Sequence, residues 1–104
     1  MNKSQLEKEI KTRTEILKDY LGKVQQIQNY RYDIECQTYF TTVNNIIRKM
    51  NKIGAHLSSY SDAEFANLNF KQIIADLDNM MIEPKMTYDH IKSRGFLPAP
   101  PRTY

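Results

Sequence analysis

The chain has 104 residues, 40% of them hydrophobic and 26% charged, with a net charge of +3. That is ordinary globular composition for a single domain with a modest core, and it excludes wholesale disorder and a strongly basic nucleic-acid binder. No apolar run reaches the roughly 18–20 residues that span a bilayer, and the charged opening MNKSQLEKEIK lacks the apolar core of a signal peptide.

The one cysteine, Cys36, cannot form an internal disulfide, which points to a reducing compartment and hence to a cytoplasmic protein. Lys, Asn, Ile and Tyr are abundant, while Ala, Gly, Pro and Arg are few. These are the residues of AT-rich codons, a bias that fits an AT-rich bacterium, or a phage or mobile element living in such a host cell.

Leu6, Ile10, Leu17, Tyr20, Val24, Ile27 and Ile34 recur at a spacing of three to four, with Arg13 and Arg31 interrupting the seam. Ser4 followed by Glu7 reads as a capping box, so a helix is expected from Gln5. The stripe is narrow and flanked by charges over about four heptads, the pattern of a helix packed along a partner helix. Gly22 lies inside it, at a cost of roughly 1 kcal/mol relative to Ala.

Tyr30 to Cys36 alternates apolar and polar residues as a strand does, yet no turn cluster bounds it and no second strand-like run could pair with it. A strand pairing with its copy in a dimer is one reading. Helix is the preferred one, with Tyr32, Cys36, Phe40, Val43, Ile47 and Met50 on one face, widened by Tyr39, Ile46 and Ile53. A bend or turn near residues 28–33 leaves either one long rod or a hairpin across 5–57. Gly54 is placed to serve as the C-cap.

Ser61 with Glu64, and Asn69 with Gln72, read as two further capping boxes. Phe70, Ile73, Ile74, Leu77 and Met81 then follow an amphipathic helical spacing. Pro84 is expected to stop that helix. Thr87 would cap a last short one, ending at Gly95 with Phe96 packed back on Ile91. The expected architecture is all-α, a long helical hairpin or small bundle over residues 1–97, with helices over 62–82 and 88–94. Leu97-Pro-Ala-Pro-Pro101 starts an extended Pro-rich tail, 98–104, suited to a partner's groove.

Charge is unevenly spread. Residues 36–60 carry Arg48, Lys49 and Lys52 with no acid, and 61–83 carry Asp62, Glu64, Asp76, Asp78 and Glu83 against Lys71 alone. A basic and an acidic helix lying side by side would account for this, as would a charged partner on one of the two faces.

The chemistry of an enzyme is missing. His56 and His90 stand apart from each other, from Cys36 and from any carboxylate cluster, so no metal set is expected. Three scattered glycines build no phosphate loop, and Asp76 and Asp78 point to different helix faces. We expect no catalytic residue, cofactor, metal or small-molecule substrate.

A helix over Phe70–Met81, a turn at Glu83-Pro84-Lys85-Met86 and a second short helix is helix-turn-helix order. Thr87-Tyr88, Ile91-Lys92 and Arg94-Gly95-Phe96-Leu97-Pro98-Ala99-Pro100 resemble the second helix and start of the wing of MerR-like and AlpA-like phage regulators. The resemblance covers residues 84–101 only. It departs from those families in Pro84 within the turn, in Phe96-Leu97 before the prolines, and in the short stretch that follows. It implies that Thr87, Tyr88, Lys92 and Arg94 approach DNA, with Arg94 on a phosphate or a guanine edge.

Seven tyrosines, at 20, 30, 32, 39, 60, 88 and 104, suit either a core without tryptophan or an interface. The sequence therefore suggests a non-enzymatic helical interaction protein, an accessory or inhibitory factor that modulates a larger protein, including a nucleic-acid enzyme. The partner-facing candidates are Leu17, Tyr20, Val24, Ile27, Tyr30, Tyr32 and Tyr39, completed by a second copy or by a target protein. The alternatives are a dimeric DNA-binding regulator reading through 87–94, and a scaffold subunit.

Overall fold

The computed structural model describes residues 1–27 and 30–94. They form four helices: α1 (Lys3–Gln25), α2 (Ile34–Ser58), the short α3 (Asp62–Ala66) and α4 (Phe70–Ser93). No strand occurs among the described residues, so the fold is all-α. No helix is long and apolar enough to cross a membrane.

The long helices pack as an up-down-up bundle. α1 and α2 are antiparallel, with Ile10 beside Gly54 and Lys3 reaching the Tyr60 carbonyl at the far end of α2. α4 runs alongside α1, as the contacts Arg13–Asp78 and Tyr20–Tyr88 show, and antiparallel to α2, where Tyr39 meets Pro84 and Asp33 meets Arg94. Leu6, Leu17 and Val24 of α1, Cys36, Val43 and Met50 of α2, and Leu77 and Ile91 of α4 fill the centre at no more than 1% exposure. Each of the leucine, isoleucine, valine and methionine side chains contributes about 1.5–3 kcal/mol by leaving water. Phe65 of α3 plugs one end of the bundle.

Several local expectations change. α1 starts two residues early, because Asn2 and Gln5 form the capping box, each side chain accepting from the other's backbone at 2.8 Å. The strand-like segment is a 3-10 turn at Tyr30–Tyr32, and Asp33 then caps α2 by accepting from the Cys36 amide at 3.0 Å. The chain is thus a hairpin, not a rod. Tyr32 and Ile34 stand before or at the first turn of α2, off its core face, and are 66% and 82% exposed.

Gly54 does not cap α2, which runs on to Ser58. A Cβ at Gly54 would lie 2.9 Å from Ile10 Cδ1, so the missing side chain serves close approach of α1 and α2. Ser61 and Asn69 cap α3 and α4 as expected, accepting from the Glu64 and Gln72 amides at 3.2 Å.

The largest correction is at Pro84, which lies inside α4 and does not end it. An interior proline costs about 3 kcal/mol or more through its missing donor and its clash with the preceding turn. Here its ring is fully buried, and the Tyr39 hydroxyl donates to its carbonyl at 2.8 Å, so tertiary contacts offset the local penalty. Residues 87–94 are consequently the last turns of α4. Thr87 caps nothing, no turn separates two helices, and the helix-turn-helix order is not formed. The expected Gly95–Phe96 cap and the Pro-rich tail lie outside the described residues.

Nor do the basic stretch of α2 and the acidic stretch of α4 neutralise each other. Arg48, Lys49 and Lys52 form no ion pair among the described residues. Asp78 instead meets Arg13 of α1 at 2.7 Å, while Arg13 also holds Glu9 at 2.6 Å. The arginine that interrupts the seam of α1 is therefore a clamp between α1 and α4, its side chain only 12% exposed.

Candidate functional site

The seam between α2 and α4 is open. On α2 it presents Thr38 and Thr42, and on α4 Pro84 and Thr87, where long aliphatic side chains would have closed it. What remains is a groove of about 400 Å³, with Tyr39 and Val43 of the core also in its lining. Ile34 and Met86 stand on its rim, 82% and 66% exposed, and Ile82, one turn before Met86, is 53% exposed. Exposed apolar side chains gathered beside a concavity are more informative than ones scattered singly.

Charge is arranged at one end and along one edge. At the end, Arg94 holds Asp33 and Glu35, each at 3.2 Å, and His90 lies 3.5 Å from Glu35. Burial pushes the Asp33 carboxyl up, but hydrogen bonds from Arg94 and the Cys36 amide outweigh it and hold the group below the usual aspartate range. Along the edge, Glu83 lines the groove and has no ion pair among the described residues.

Cys36 lies behind this cluster, fully buried, and burial pushes its thiol up to about 11. It is protonated at neutral pH and unsuited to nucleophilic work. No group of three or more His, Cys, Asp or Glu suited to a metal occurs among the described residues. The groove can take up apolar side chains and one or more cations.

The residues singled out from sequence do not share one surface. Leu17, Val24 and Tyr39 are core, at most 3% exposed, and of the three only Tyr39 reaches the lining of the groove. Tyr20 is half-buried and stacks on Tyr88 with centroids 4.6 Å apart, while Ile27 and Tyr30 pack against the core, Tyr30 edge-on to Phe40 at 5.5 Å. Tyr32 alone of that set is largely exposed.

Of the DNA-facing candidates, Thr87 lines the groove, Tyr88 is in the stack and Arg94 is committed to two carboxylates. Only Lys92 is exposed and without an ion pair among the described residues.

Sequence reasoning missed Ile34, Ile82 and Met86. A signal was present: Ile82 and Met86 are four apart and off the Phe70–Met81 stripe, but only a helix continuous through Pro84 puts them on one face.

No family model matches the chain, and no curated protein and no solved structure matches it either.

Proposed function

We propose that this chain is a non-enzymatic helical interaction protein, of the accessory or inhibitory kind, that takes apolar side chains of another polypeptide into the α2–α4 groove. The observation that carries this reading is the pairing of a concavity of about 400 Å³ with exposed Ile34 and Met86 on its rim. A cavity of that size takes about two or three anchor side chains, the number a short docked helix presents. We prefer it to the DNA-reading alternative because α4 runs through Pro84 without a turn and Arg94 and Tyr88 make contacts within the chain.

A photo-crosslinker tests the reading. Thr42→Cys carrying a benzophenone places the label in the groove, and buried Cys36 does not compete for the reagent. In lysate of the source cells the label should give a discrete crosslink to a polypeptide. Adding Met86→Glu should abolish it, and a label at Lys92→Cys should not reproduce it. Absence of any crosslink sensitive to Met86→Glu rejects the groove as the working surface.

A further inference from the structure

We infer that the groove is built for a cationic amphipathic helix of a different protein, seated along α2 and α4 as a fourth helix of the bundle. This rests on the groove reading above and specifies its occupant.

Shape comes first. The groove runs from Ile34 to Val43 on α2, a rise of about 13 Å at 1.5 Å per residue, and its walls are two antiparallel helices. A third helix lying between them presents side chains at i, i+3 or i+4, and i+7 over that length, and completes a four-helix arrangement.

Charge selects among helices. The groove-lining acids are Glu35 and Glu83. Glu35 is already held by Arg94 and His90, whereas Glu83 meets no cation among the described residues. The same groove has no lysine or arginine in its lining. An apolar segment flanked by Lys or Arg therefore gains an ion pair at Glu83, and one flanked by Glu is repelled there.

The same charge argues against a second copy. A two-fold interface presents one patch to itself, so a copy docked on this face brings a lining without lysine or arginine and offers Glu83 no cation. An anionic lipid surface is repelled at the same place.

The probes are two synthetic helical peptides with leucine at the heptad a and d positions, one flanked by lysines and the other by glutamates. Titrated against the full chain by fluorescence anisotropy, the lysine peptide should bind about 3-fold more tightly. The chain carries a net charge of +3, so nonspecific attraction favours the glutamate peptide, and the expected order has to come from the groove.

Glu83→Lys should reverse the preference, and Met86→Glu should abolish binding of both peptides while leaving the helical circular dichroism unchanged. Failure of both peptides to bind, or equal binding unmoved by Glu83→Lys, overturns the cationic helix. So does a dimer by sedimentation that Met86→Glu dissolves. Equal binding and the dimer leave the groove reading standing, and the crosslink from Thr42→Cys decides that one separately.

Discussion

The two seams that α4 makes with its neighbours are built from different materials. Against α1, large and charged groups interlock: Arg13 spans from Glu9 to Asp78, and Tyr20 lies flat on Tyr88. Against α2, the contact is close at Tyr39–Pro84 and at the Arg94 cluster, and between these fixed points threonines and a proline leave room. One helix thus has a finished side and an unfinished one. Interlocked side chains are concentrated in the first and open surface in the second.

The contrast can be broken most severely from the core. Leu17→Ala removes a fully buried side chain and should cost about 3 kcal/mol, within the 2–5 kcal/mol range for such cavities; Met86→Ala on the open seam should cost about 0.5 kcal/mol or less. Urea unfolding of the two variants side by side measures the difference, and equal losses would mean that the seams are not distinct.

Arg13→Ala comes next, at about 1–2 kcal/mol, because it removes a mostly buried stem together with two charge-assisted pairs. The partly exposed Glu9 and Asp78 are left to water, which keeps the loss moderate.

The smallest effect sharpens the comparison at the groove's end. Asp33 is held below its ordinary range, so the stability it contributes is present above the unfolded aspartate pKa of about 4 and fades as pH falls through the lowered folded value. Arg94→Ala should therefore be less stable than the parent at neutral pH, with the gap narrowing below about pH 4. A gap that stays constant through acid unfolding would show that Arg94 acts by packing and not through that carboxylate.

Much of the fold was legible because the stripes Leu6-Ile10-Leu17-Val24 and Phe70-Ile73-Ile74-Leu77 carry their own period, and because Ser61 and Asn69 signal caps through short-range chemistry. What was not legible depends on partners distant in sequence. Pro84 is braced by a hydroxyl 45 residues away, Arg13 is explained by a carboxylate 65 residues away, and Gly54 by the terminal methyl of Ile10. The groove was hidden for a related reason. Thr38, Thr42 and Thr87 look like ordinary solvent-facing residues until the rotation of α2 against α4 places them opposite one another, and Ile34 continues the spacing of α1 across a turn that resets its phase.

Pro84 has one more consequence. Lacking an amide hydrogen, it leaves one rung missing from the ladder along α4, so the turns that hold Met86, Thr87 and His90 are tied to those that hold Leu77 by one axial bond fewer. The Tyr39 phenol supplies a lateral brace at that height. The wall of the groove is thus moored crosswise to its opposite wall, and slow deuterium uptake downstream of the proline should depend on one hydroxyl in a neighbouring helix.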